Sequence, residues 1–345
     1  MESALYRKYR PTNFKDVLGQ DHIVKPLSIT IKNGNISHAY LFAGSRGIGK
    51  TSIARIFAKD IGTSANDIYE IDGASNRGID DVRALREAVN TLPFDSKYKV
   101  YIIDECHMLT KEAFNALLKT LEEPPKHVVF ILATTEIDKL PATIVSRCEV
   151  HQFRKPTQKF LKDAIERVSK KEGFSLEPAS ADLIALLGDG SFRDTLGILQ
   201  KIIGSSSDKK ISVEEVELVT GAPRESLIND FVLALSDKDL KNGLLCIKKA
   251  VDQSVDIKVF VKLILRKMRF VLLLRFAPDF EETVKSELSS EDFVLLKKIA
   301  TDKNSHINSE VLKTLLEAHN LISFSALPEL PLELATIKIC GEVWV

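Results

Sequence analysis

Residues 44–51 read Gly-Ser-Arg-Gly-Ile-Gly-Lys-Thr, an unbroken G-x-x-x-x-G-K-T. The motif follows an apolar run at 39–42 and opens a helical pattern at 52–58, the strand-to-helix setting in which such a loop cradles phosphate. Glycines let the loop bend so that backbone N–H groups and a helix N-terminus face a triphosphate. Lys50 then reaches the β- and γ-phosphates, and the Thr51 hydroxyl can ligate Mg²⁺. Gly44, Ser45, Arg46, Gly47, Ile48, Gly49, Lys50, Thr51 and Ser52 are therefore the expected ligands of ATP or GTP.

The surrounding pattern predicts an α/β domain built on a parallel sheet. Strands are expected near 39–43, 67–72, 99–104, 127–133 and 149–153, alternating with helices near 50–61, 78–91 and 110–122. The runs 99–103, apolar after its opening Lys99, and 128–133, apolar throughout, are what strands buried on both faces require. In the segment 111–122, Phe114, Leu117, Leu118 and Leu121 share one helical face, and Pro124-Pro125 ends it. After Pro156 the pattern is helical only, near 157–172, 179–188, 191–203 and 212–219. From Arg224 onward, apolar stripes follow at 227–235, 240–251, 257–276, 284–300 and 308–324, with a last segment at 332–342. The expected division is a nucleotide-binding α/β domain at 1–155, a small helical domain, the lid, at 156–221 and a third, helical domain at 222–345. At 345 residues and 44% hydrophobic, the chain has apolar material for two or three such cores.

Charge and cysteines narrow the function classes only a little. Forty-eight basic residues balance 48 acidic ones, so no global positive field advertises nucleic acid. The first ten residues lack the apolar core of a secretory signal, which leads us to expect a cytoplasmic protein. The apolar stretch 257–277 carries Lys258, Lys262, Arg266, Lys267, Arg269 and Arg275, too many charges for a membrane span. Cys106, Cys148, Cys246 and Cys340 form no C-x-x-C pair.

The chemistry-bearing residues continue downstream. Residues 100–103 are apolar and end in Asp104-Glu105, at the carboxyl end of a buried strand, where ligands bind in open parallel sheets. With the phosphate loop, Asp104 is the expected Mg²⁺ ligand beside Thr51, and Glu105 the group that polarises the attacking water. The next strand ends Ala133-Thr134-Thr135. Thr135 could orient water against the γ-phosphate, or the threonines could simply be β-branched strand residues. Ser146-Arg147-Cys148 follows a helical turn.

Phosphate loop, Asp-Glu, Ala-Thr-Thr and Ser-Arg-Cys, in this order and spacing, resemble the clamp-loader branch of AAA+ ATPases. The motifs at 6–11 (Tyr-Arg-Lys-Tyr-Arg-Pro), 17–20, 38–42 and especially 115–125 (Asn-Ala-Leu-Leu-Lys-Thr-Leu-Glu-Glu-Pro-Pro) are similar to the gamma/tau subunits of bacterial DNA polymerase III. The likeness is close over residues 1–200 and covers the rest in length and helical character.

The resemblance implies roles. Arg147 would act as a finger on the nucleotide of a neighbouring subunit, a task suited to a permanent planar charge, the alternative being a surface arginine salt-bridged within its own chain. Thr135 would be the sensor on the sheet, and Arg193 the sensor that reaches from the lid to the γ-phosphate. Arg10, Pro11, Val17 and Leu18 would pack on adenine and favour ATP over GTP. The implied partners are further gamma/tau copies, the delta and delta-prime subunits, the sliding clamp and primer-template DNA. From the residues alone, Asn76 and Arg77, before the helix near 78–91, would offer polar groups and free helical N–H groups to a DNA phosphate, or form a capped helix start with no ligand. Members of the family usually carry a four-cysteine zinc module between the helix after the phosphate loop and the next strand. Here residues 60–65 bridge that gap without cysteines, so no zinc is expected. A branch-migration motor of related AAA+ type is the alternative, and it would place a DNA-reading winged helix after the lid. A scaffold that binds ATP without turnover is disfavoured by the intact Lys50, Asp104, Glu105 and Arg147.

Overall fold

Apolar runs that need cover on both faces become the inner strands of a parallel sheet in the computed structural model, which describes residues 4–76 and 78–341. The chain opens with helices α1 (Leu5–Lys8) and α2 (Asp21–Asn33). It then alternates β1 (Ala39–Ala43), α3 (Lys50–Asp60), β2 (Ile68–Asp72), α4 (Ile79–Val89) and β3 (Lys99–Asp104). α5 (Lys111–Glu122), β4 (Val128–Thr134), α6 (Ala142–Val145) and β5 (Glu149–Gln152) complete the layer. The strand order is β2-β3-β4-β1-β5 with every pair parallel.

Side-chain alternation sends one set of residues to each face. Tyr40, Phe42, Ile102 and Ile131 meet Leu27 of α2 and Ile53 and Phe57 of α3. Leu41, Tyr101, Phe130 and Leu132 meet Leu85 of α4 and Phe114, Leu117 and Leu121 of α5. Each fully buried side chain of this size stabilises the layer by about 1.5–3 kcal/mol. The register sets Asp72 beside Asp104 and Ala43 beside Thr134, which gathers the phosphate loop and the acidic pair at the same edge of the sheet.

Beyond the sheet come α7 (Gln158–Glu172), β6 (Ser175–Leu176), α8 (Pro178–Leu187), α9 (Phe192–Ser205) and β7 (Lys210–Ile211). The expectation of helices alone after Pro156 is corrected here. Gly173 ends α7 in the left-handed conformation at φ 80, and the extended residues that follow pair in parallel with 210–211. The chain divides into two compact units between Ile211 and Ser212.

The second unit is helical throughout its described residues. It comprises α10 (Val213–Thr220), α11 (Glu225–Ser236), α12 (Leu240–Asp252), α13 (Ile257–Phe276), α14 (Glu281–Ser286), α15 (Ser290–Thr301), α16 (Ser309–Ile322) and α17 (Leu330–Cys340). The stripe at 284–300 proves to be two helices, because the Ser289 side chain accepts from the Asp292 N–H and starts a new one. α13 forms the centre, burying Phe260, Ile264, Met268 and Val271. Its Lys267 is buried too, ion-paired with Asp292 and donating to Asn229 Oδ1 at 2.7 Å. Among the described residues no helix is long and apolar enough to cross a membrane.

Candidate active site

β1 delivers the chain to the phosphate loop, and the loop's backbone geometry explains its glycines. Gly47 has φ 74, and a Cβ there would lie 2.0 Å from Ser191 Oγ on the lid. Only glycine tolerates both the left-handed conformation and the close approach. Lys50, at the start of α3 and only 5% exposed, donates to Gly44 O at 2.7 Å and Ser45 O at 2.9 Å. Burial pushes its pKa down, against the opposing pull of Glu105 and Asp104. The ammonium is thus held across the loop, where a phosphate would exchange for these carbonyls.

The acids lie where β3 ends. Asp104 Oδ2 accepts from Thr51 Oγ1 at 2.7 Å, and Asp104 Oδ1 accepts from the Glu105 N–H at 3.0 Å. These are hard oxygen donors, the kind that Mg²⁺ takes together with water and phosphate oxygens. Glu105 itself has φ 46, a left-handed conformation unusual for a residue with a Cβ. Its carboxylate accepts from Thr135 Oγ1 at 3.0 Å.

Sequence reasoning missed His107. Its Nδ1 lies 3.1 Å from Thr134 Oγ1 and 3.4 Å from Glu105 Oε2, while Nε2 lies 3.4 Å from Glu136 Oε1. The only hint in the sequence was a polar ring two residues after Glu105 in a stretch otherwise committed to the core.

A cleft of about 1050 Å³ runs along the phosphate loop, its walls including Arg10, Pro11, Val17, Leu18, Arg46, Thr51, Ser52, Asp104, Glu105 and Arg193. Burial lowers the pKa of Arg10 within it. Thr135 does not line the cleft and touches it through Glu105. Arg193 is the second residue of α9, and the residue before it donates its backbone N–H to Gly47 O at 3.0 Å. The lid therefore begins in contact with the phosphate loop.

Two expected residues lie elsewhere. Arg147 donates to Thr143 O at 2.7 Å and pairs with Glu122 at the end of α5. It lines a separate hollow of about 410 Å³ with Ala39, Pro124, Val128 and Glu149. Those residues include the starts of β1 and β4, so Arg147 sits at the opposite end of the sheet from the phosphate loop. Asn76 Nδ2 donates to Asp72 O at 3.1 Å within its own turn. The following helix starts with the Gly78 N–H donated to Asp81 Oδ2 at 3.1 Å, and Asp80 also sits in its first turn. Arg77 lies outside the described residues.

Where the cysteine module would sit, residues 65–67 make one 3₁₀ turn. The Asp67 carboxylate accepts from the Asp95 N–H at 2.9 Å and also from the Phe94 N–H.

Comparison with known proteins follows this geometry. Residues 62–157 match the family described as DNA polymerase III, delta subunit. The chain is 37% identical to DNA polymerase III subunit tau of Bacillus subtilis over 98% of its own length and 63% of that protein. It is 38% identical to subunit gamma/tau of Mycobacterium tuberculosis over 80% of itself and 52% of the relative. With subunit gamma of Buchnera aphidicola the identity is 35%, covering 80% of each chain. The chain thus spans between about half and two-thirds of the longer of these relatives. Among solved structures, the RuvB Holliday junction branch migration motor of Thermotoga maritima superposes with a TM-score of 0.53. That match covers 66% of this chain and 79% of RuvB at 23% identity, a likeness of fold.

Proposed function

We propose that this chain, which belongs to the gamma/tau subunit family of DNA polymerase III, is an ATP-driven clamp-loader subunit. It would assemble with further gamma/tau copies and with delta and delta-prime, open the sliding clamp and load it on primer-template DNA. In this reading the sheet with α1–α6 is the ATPase domain, α7–α10 the lid and the remaining helices the oligomerising collar, with boundaries near 155/156 and 221/222.

The observation that carries the reading is the separation within one chain of two groups of residues that together would make a hydrolytic site. Lys50, Thr51, Asp104 and Glu105 surround one cleft, while Arg147 lies at the far end of the sheet. The base would lie against Arg10, Pro11, Val17 and Leu18, with the triphosphate along the loop. Thr51 and Asp104 would hold Mg²⁺, which when bound neutralises charge on the phosphates. Glu105 would accept a proton from the attacking water, its carboxylate oriented by Thr135. Arg147 would complete a neighbour's site, supplying charge where the γ-phosphate leaves and making turnover depend on assembly. Arg193 would report the same phosphate to the lid.

A branch-migration motor shares the ATP chemistry, but described residues 213–341 offer helices rather than a winged helix. The reading is tested by steady-state ATP hydrolysis as delta and delta-prime, clamp and primed DNA are added in turn. Turnover should rise at each addition, and Glu105→Gln should retain nucleotide binding while losing about 10²–10⁴-fold in rate. A rate indifferent to every partner would contradict it.

A further inference from the structure

The short helix α1 is fastened to the lid. The Leu5 N–H donates to Gln200 Oε1 of α9 at 3.0 Å. At the end of α7, Glu172 Oε1 accepts from both the Tyr9 hydroxyl at 2.6 Å and Lys8 Nζ at 2.7 Å. Between these anchors Tyr6 lines the mouth of the cleft, and Arg193 Cζ lies 5.0 Å from the centroid of its ring. Arg7 flanks the same ring at 5.8 Å.

The ring attracts the guanidinium and restrains the direction of Arg193 beside the cleft. An arginine without that contact in an open cleft would have to surrender its rotamer freedom at the moment of binding.

We propose that Tyr6 is a positioning residue for the nucleotide site: the helix that carries it is tied to the lid, and its ring presets Arg193 for the terminal phosphate. This rests on the reading of Arg193 as the lid's phosphate contact, so the experiment has to separate the two. Equilibrium binding of Mg·ATP and Mg·ADP is measured for the isolated chain and for Tyr6→Ala, Tyr6→Phe, Arg193→Ala and the Tyr6→Ala/Arg193→Ala double variant.

Tyr6→Ala should weaken ATP binding about 3- to 10-fold, the scale of one partly desolvated cation–π contact, with little change for ADP. Tyr6→Phe keeps the ring face and should recover most of the affinity. In the Arg193→Ala background, Tyr6→Ala should add less than about twofold, because the partner is gone. Losses that add fully, or that are equal for ATP and ADP, would overturn the proposal while leaving Arg193 in its role. Wild-type ATP affinity in Arg193→Ala would instead remove the reading on which the proposal stands.

Discussion

Gly47 concentrates the site's demands on a single residue. Its φ of 74 excludes most side chains, and a Cβ would meet Ser191 Oγ at 2.0 Å and Arg193 Cβ at 3.1 Å. Gly47→Ala should force the lid's first residues off the loop, weakening ATP binding by at least about tenfold and costing about 1–2 kcal/mol of stability. Titration calorimetry alongside thermal unfolding would read both. Unchanged affinity would mean that the contact between loop and lid is incidental to nucleotide binding. The sequence made Gly47 legible as part of a phosphate loop, since the motif is contiguous and its chemistry local. It did not reveal what Gly47 touches, because Ser191 is 144 residues away and the contact exists only once the lid folds back. A separation of 187 residues likewise hid the contact of Tyr6 with Arg193. His107 was hidden differently, in a short 3₁₀ turn of which only Cys106 is buried, with no motif to mark it.

At the scale of elements, the second unit depends on polar contacts placed at helix ends. Arg275, in the last turn of α13, donates to Ile299 O at 3.0 Å, Ala300 O at 3.0 Å and Ile307 O at 2.6 Å. It therefore satisfies carbonyls left open where α15 ends. Arg275→Ala should destabilise this unit by about 2–3 kcal/mol, read as a lower urea midpoint, since bonds to a charged donor are the costly ones to lose. Glu225, at the start of α11, faces Lys267 and Asp292. Its pKa is raised first by hydrogen bonding with Asp292 and next by burial, with Lys267 opposing. A folded pKa above the unfolded value of 4.5 means that the folded state holds the proton more tightly. That contribution is complete below pH 4.5 and is lost as pH rises through the folded pKa. Asp292, whose pKa is lowered, stays ionised across this range and adds no slope. Unfolding midpoints should therefore decline modestly from pH 4.5 toward neutrality, solvent screening keeping the effect small. Glu225→Gln should flatten the decline, and an unchanged slope in that variant would refute the assignment. Helical periodicity located α11, α13 and α16 well, because each keeps one apolar face. It could not separate α14 from α15, where the stripe runs on across a Ser289 cap, nor foresee the β6–β7 pair, two residues long on each side.

Across the whole molecule, the cleft and Arg147 occupy opposite ends of one parallel sheet. In the monomer Arg147 is neutralised by Glu122, an ion pair at least partly open to solvent and therefore cheap to exchange for another anion. The resemblance carried by the phosphate loop, the acidic pair and the Ser-Arg-Cys turn implied a site shared between copies, and the distance of Arg147 from the cleft of its own chain supports that proposal. The partner surfaces were not legible, because they depend on which side chains the folded helices leave outward. The most direct measurement compares Arg147→Ala with the wild-type chain twice, once for Mg·ATP binding by the isolated chain and once for turnover in the assembled complex with clamp and primed DNA. The proposal predicts unchanged binding and a loss in turnover of about 10³-fold or more, the contribution expected of an arginine acting in trans. Weakened binding by the isolated chain, or wild-type turnover in the assembly, would contradict it.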